Sequence, residues 1–225
     1  MTDYDLTRTR RKTIAIYIRD GNVEVRAPLG ASVKEIDRFV LSKEAWIQAN
    51  LKKQISQTKE REGFAVDYGS EITWRGKMYP IVSRSGNIAG FDGICFYVPT
   101  GLTRPQIKAA CVQVYRRLAL IYLKGRVSCF SGKMGVAPAA VKVNSAKTRW
   151  GSCSSKKSIN FSWRLALADD DVIDYVVVHE LAHLIELNHS ERFWAVVKGI
   201  LPDYANRKIR LRALQERLIR ENWDI

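Results

Sequence analysis

All three histidines of this 225-residue chain fall within one short stretch, Val178-His179-Glu180-Leu181-Ala182-His183-Leu184-Ile185-Glu186-Leu187-Asn188-His189. His179 and His183 are four residues apart, so on a helix their rings project from one face and can share a metal ion. Glu180 is rotated about 100° around the axis from His179. That places its carboxylate beside the ligands, where it can act as a base on a water polarised by the metal. In an unbroken helix His189 would lie about 9 Å beyond His183 and on another face, so it completes the site only if the helix ends and the chain folds back. Asn188 is suited to such a break, because Asn tolerates the left-handed conformation that closes helices. It is also a candidate cap for the next helix, with Glu191 as its capping-box partner. Three imidazoles with an open position favour Zn2+, one per chain. The competing reading is an accidental HExxH on an amphipathic helix, in which Leu181, Ala182, Leu184 and Leu187 are core residues either way. It leaves two histidines and a glutamate buried beside Val176, Val177 and Val178 with nothing to bind them, which is costly.

These side chains need elements to hold them. Residues 12–18 and 23–27 alternate around the turn signal Asp20-Gly21-Asn22, which predicts a hairpin. Residues 32–53 carry apolar side chains at helical spacing, and 71–74, 78–83 and 93–98 read as short strands. A joint at 99–105 precedes a long amphipathic helix over 105–128, with Pro105 in its first turn. Strands are predicted at 141–145 and 158–163, paired around a loop at 147–157. Helices follow at 171–187, 190–200 and 206–221, the first preceded by Asp169, Asp170 and Asp171, which suit a helix N-terminus. The reading is an α+β fold in which the HExxH helix packs on a small sheet. A β-rich N-terminal region with one helix (1–103) precedes the metal-binding domain (104–225).

Composition narrows the classes. With 46% hydrophobic and 27% charged residues the chain is an ordinary globular one. It lacks the roughly 18-residue apolar run of a membrane span, and its first residues, MTDYDLTRTRRK, lack a signal-peptide core. A cytoplasmic location with no membrane association is expected. Cys95, Cys111, Cys129 and Cys153 form no CxxC pair and read as reduced thiols. There are 37 Lys+Arg against 23 Asp+Glu, a net charge of +14. The segment from 173 onward, which holds the histidines, has 8 basic and 8 acidic residues, so the excess lies entirely before it. Those preceding basic residues suit association with a polyanion such as nucleic acid, or a merely solvated surface.

The motif HELAHLIELNHSERFW, with Arg149-Trp150-Gly151-Ser152-Cys153 upstream and Leu201-Pro202-Asp203-Tyr204 downstream, resembles the YgjP-like metal-dependent hydrolases. These are grouped with the zincin metallopeptidases, near the SprT-like proteins. The resemblance is specific over 141–204 and weaker before residue 100. It implies a zincin-like α+β catalytic domain with His179, His183 and His189 as metal ligands and Glu180 as general base. The metzincin pattern is excluded: it needs Gly where Glu186 stands and a Met-turn downstream, whereas Met1, Met78 and Met134 all lie upstream. A gluzincin arrangement would take Glu216 or Glu221 as third ligand, and His189 is the simpler choice.

The expected activity is a zinc-dependent hydrolase, foremost a metallopeptidase acting on protein or peptide. Its oxyanion or substrate contacts would come from Arg149, Asn160, Arg164 or Tyr204. Strand 158–163 would present an edge to an extended peptide. A second label attached to the resembled group is a nucleotide (UTP) pyrophosphatase. In that reading Lys147, Arg149, Lys156 and Lys157 hold phosphates and Asp169, Asp170 and Asp171 recruit Mg2+. A third is a basic nucleic-acid-associated binding protein whose zinc is structural, with Cys153 as fourth ligand. It conflicts with an acid next to a three-ligand open site. Trp150 and Trp194 read as packing residues around the site.

Overall fold

The computed structural model describes residues 2–19 and 21–225. Strands β1 (Asp5–Thr9), β2 (Ala15–Arg19) and β3 (Asn22–Pro28) form a sheet with β3 central, parallel to β1 and antiparallel to β2. The expected hairpin is thus β2–β3; of its turn, Asp20 lies outside the described residues, and Gly21 has φ +79°. Strict alternation along β3 buries Val23, Val25 and Ala27 against Ile36, Val40 and Ile47. Two helices supply those last three, α1 (Val33–Ser42) and α2 (Glu44–Gly63), where the sequence suggested one over 32–53. Ser32 and Glu35 form a capping box that starts α1. Beyond Leu51, α2 continues through a polar, helix-favouring run (KKQISQTKEREG) that has no apolar periodicity to announce it.

The following sheet has the order β4 (Glu71–Trp74), β5 (Lys77–Arg84), β7 (Phe96–Pro99), β6 (Gly90–Phe91). The turn between β4 and β5 uses Arg75 and Gly76 at φ 50° and 74°. The long helix α3 (Arg104–Met134) starts at a Thr103–Gln106 capping box and ends at Gly135 with φ 64°. A second small sheet has the order β8 (Ala140–Asn144), β10 (Ser158–Ser162), β9 (Gly151–Cys153), with β10 parallel to β8 and antiparallel to β9. Two expectations change here. Strand β10 is central, not an edge, and the predicted loop 147–157 contains the edge strand β9. Its sequence, Gly-Ser-Cys, is too short and too turn-like to show a period of two. Residues Trp163–Leu167 then make a 3-10 turn that leads into α4 (Asp170–Ala182), α5 (Glu191–Ile200) and α6 (Tyr204–Arg220).

The backbone contacts divide the chain into two compact units, 1–64 with 219–222 and 65–218 with 223–225, so the sequence boundary at 103/104 falls inside the second. That second unit is organised on α3. Tyr115 is fully buried, stacks on Trp163 at 5.2 Å and 13°, and donates to the Thr73 carbonyl at 2.6 Å. Trp223 meets both rings edge-on at 5.5 and 5.8 Å. Helix α3 also grips α4 through a forked Arg126–Asp174 ion pair at 2.7 Å. No helix of the described residues is long and apolar enough to cross a membrane.

Replacing Trp163, which is fully buried, with Ala should remove about 3–5 kcal/mol of stability. Urea unfolding followed by circular dichroism checks this, and a loss below about 1 kcal/mol would contradict the central place given to this ring.

Candidate metal centre

Helix α4 is apolar nearly all round: Val172, Ile173, Tyr175, Val176, Val177, Val178, Leu181 and Ala182 are buried. Its N-terminus is held by arginines. Arg75 forks onto Asp170 at 2.6 and 2.5 Å, and Arg210 reaches both Asp169 and Asp171. The acidic run weighed as a Mg2+ site therefore neutralises arginines at a helix start, which suits the macrodipole.

The helix ends at Ala182, five residues before the predicted 187. His183 still has helical dihedrals (φ −66°, ψ −14°), so the four-residue relation to His179 survives, with ring centroids 5.0 Å apart. The chain then winds down in tight turns, Leu184 N–H donating to Leu181 and Ile185 and Glu186 N–H to Ala182, at 2.9–3.0 Å. The break does not use a left-handed Asn188; among the described residues the non-glycine ones with positive φ are Arg75 and Lys157. Nor does Asn188 cap α5: Ser190 does, accepting from Phe193 N–H at 3.3 Å. The early exit comes from the fold-back itself, which returns His189 to the helix end.

The three rings converge. His189 Nε2 lies 3.1 Å from His179 Nε2, and the His183 and His189 centroids are 4.8 Å apart. One ligand nitrogen from each lies within 4.8 Å of the others, the set of potential ligands that the described residues assemble. Tetrahedral ligation with 2.0–2.1 Å arms separates nitrogens by ~3.3 Å. His183 Nδ1 donates to the Glu186 carbonyl at 3.3 Å, which leaves Nε2 as the lone-pair nitrogen and orients the ring. His179 Nδ1 is buried with no hydrogen-bond partner. Burial first, then the neighbouring His183 and His189, pushes the His179 pKa down to about 3, so the ring stays neutral with a lone pair to offer. A cluster of converging imidazole nitrogens, with burial lowering the pKa of both His179 and His183, fits a divalent metal ion.

Sequence reasoning missed the floor of this cluster. Phe193 is fully buried, with its ring 4.6–4.9 Å from all three imidazoles. It stands four residues after His189, and that spacing was the available signal. Trp194, expected to pack nearby, stacks on His189 at 5.8 Å and on Tyr204 at 5.4 Å. Tyr175, one turn before His179, meets that ring edge-on at 5.9 Å and stacks on Tyr204 at 6.4 Å. Burial raises the Tyr175 hydroxyl pKa to about 12.

Glu180 is 5% exposed, the one buried acid of the described residues. Burial pushes its pKa up to about 7, and the nearby Arg149 charge opposes that. Its carboxyl group lies against Gly151 of β9 so closely that a Cβ there would be 2.5 Å from Oε1. The remaining candidates separate. Arg149 is beside Glu180, and Tyr204 is in the aromatic wall. Asn160 is in the central strand β10, opposite Ser152. Arg164 is buried, donates to the Ser145 carbonyl and Asp224, and covers Trp163, so it belongs to the framework. Lys147 is likewise paired with Asp224. Cys153 is outside the ligand cluster.

A helix-borne pair of histidines, a third folded back to meet them and a buried acid beside them define a metal-dependent hydrolase site. The sequence matches the YgjP-like family, metallopeptidase domain, over residues 12–214, and the chain belongs to that family. A search of curated proteins finds no match. Among solved structures, the metallopeptidase zymogen abylysin of Pyrococcus abyssi is 20% identical, with 44% of this chain and 98% of that one covered at a TM-score of 0.38. The jannalysin zymogen of Methanocaldococcus jannaschii is 19% identical, with 42% and 95% covered at 0.37.

The protein should bind one divalent ion per chain, measured by metal analysis after chelation and reloading. His189→Ala should weaken that binding by more than about 100-fold. Unchanged affinity would remove His189 from the site.

Proposed function

We propose that the chain is a zinc-dependent peptidase with His179, His183 and His189 as ligands and Glu180 as general base. The observation that carries this reading is the position of Glu180: buried at the end of the histidine helix, with its carboxyl group against the backbone of an edge strand. A bound zinc ion supplies a Lewis acid that acidifies water and polarises a carbonyl. Glu180 takes the proton of the attacking water and passes it to the departing amine. Its raised proton affinity suits both transfers, since burial already favours the protonated form.

Strand β9 has one neighbour in its sheet, β10, and its other side is the edge this reading assigns to an added strand. An extended peptide pairing there would pass Gly151, the residue packed on Glu180. The absence of a side chain at Gly151 makes room for the acid and keeps it close to that edge. Arg149 and the Tyr204 hydroxyl are the groups this reading assigns to the charge that develops on the scissile carbonyl oxygen. For the pyrophosphatase reading, Lys147 is already paired with Asp224, and Asp169, Asp170 and Asp171 with arginines, which leaves Arg149, Lys156 and Lys157 of its assigned phosphate groups.

Casein or a peptide library, compared with UTP under identical metal conditions, should show peptide cleavage; hydrolysis of UTP alone would refute the assignment. Glu180→Gln should retain metal and lower turnover by about 10²–10⁴-fold. Gly151→Ala should also keep the metal yet lower turnover by about 100-fold, because an added methyl group displaces the Glu180 carboxyl group by roughly 1 Å. Full activity in that variant would show that the glycine contact does not position the base.

A further inference from the structure

Helix α6 presents two kinds of basic residue. Arg207 and Arg210 are bound to acids: Arg207 to Asp203 at 2.9 Å, and Arg210 to Asp169 and Asp171. Tyr204, Lys208 and Arg212, at four-residue spacing, share a different face. Tyr204 stacks in the aromatic wall beside the histidines. One turn on, the Lys208 ammonium sits 4.9 Å over the Trp194 ring, which is itself stacked on His189. Arg212 stands one further turn along the same face, and Arg149 is two residues before Gly151, which packs on Glu180. None of these three cations has a carboxylate within ion-pair distance among the described residues, and Arg149 and Arg212 are exposed. The segment from 173 onward is neutral by count, but Arg207 and Arg210 are taken up by Asp203 and by Asp169 and Asp171. A positive residue remains around a site whose one buried acid is Glu180.

We infer that Lys208 and Arg212 of α6 form a specificity subsite for the side-chain carboxylates of acidic peptide segments, so that cleavage is favoured beside Asp or Glu. This rests on the peptidase reading above. Two features choose a peptide over a nucleic acid. Trp194 is stacked against His189 and Tyr204 and covered by Lys208, while Tyr204 is stacked on both Trp194 and Tyr175. The aromatic faces a nucleobase would need are already taken. Lys208 and Arg212 are also two side chains one helical turn apart, too few to make a track along which a phosphate backbone could run.

The test uses the full chain, zinc-loaded and carrying Glu180→Gln, titrated calorimetrically with an Ala-rich peptide bearing Glu residues and with the same peptide bearing Gln instead. The Glu peptide should bind about tenfold tighter, ~1.4 kcal/mol, and the advantage should shrink with added salt. Lys208→Glu and Arg212→Glu should each erode the preference and together abolish or invert it, whereas Lys208→Arg should keep it. Arg212 is exposed, so its variants test the idea even if those of Lys208 disturb the Trp194 contact. Wild-type protein is then assayed for cleavage of both peptides. Equal binding of the two, with both cleaved, overturns the subsite and leaves the peptidase reading standing. If neither is bound or cleaved, the peptidase reading itself fails. Displacement of the Glu peptide by a lower concentration of single-stranded DNA would overturn the subsite in favour of a nucleic-acid surface.

Discussion

The site depends on where α4 stops. Ending the helix at Ala182 while His183 keeps helical dihedrals satisfies two demands that conflict in a longer helix. The first pair of imidazoles keeps its four-residue relation, and the chain is released soon enough for His189 to return within 3.1 Å of His179. Each feature around that point supports the early termination. The Glu186 carbonyl accepts from His183, Ser190 starts α5 at once, and the first turn of α5 delivers Phe193 beneath all three rings. Imidazoles packed this tightly on an apolar floor bring their ring nitrogens together, and desolvation keeps protons off His179. The pocket is therefore built for a cation of another kind.

The opposite end of α4 has a different task. Its three aspartates and Asp174 are gripped by Arg75, Arg210 and Arg126, which come from the β4–β5 turn, α6 and α3. The pairs are partly exposed and individually modest in worth, but together they fix the rotation of the helix about its axis. That rotation decides which way His179 and Glu180 face. It presses the Glu180 carboxyl group onto Gly151, so the edge strand and the acid are set by one contact. In the proposed subsite, the overall charge of +14 acts on substrate through Lys208 and Arg212 alone, both in the neutral segment.

Much of this was legible in the sequence because it rests on local chemistry. HExxH spacing placed two rings on one face, the alternation of β3 showed its buried side, and Pro105 marked the first turn of α3. What stayed hidden depends on partners distant in sequence. Strand β1, with its polar and largely exposed side chains, is a strand because it pairs with β3. Gly-Ser-Cys becomes an edge strand only beside β10, and its presence moves β10 to the centre. The helix end at Ala182, the floor made by Phe193 and the capture of Arg164 by Ser145 and Asp224 are likewise products of packing. Propensity favoured helix to residue 187, and tertiary closure around His189 prevailed.

The central claim is that three imidazoles from this helix end and its fold-back hold the metal and leave one position open. X-ray absorption at the zinc edge, on the fully loaded wild-type protein, tests it directly. Three imidazole nitrogens and one further light atom at about 2.0–2.1 Å are the predicted result. A sulfur scatterer at about 2.3 Å, which would put a cysteine on the ion, or a shell with fewer than three imidazoles, would contradict it.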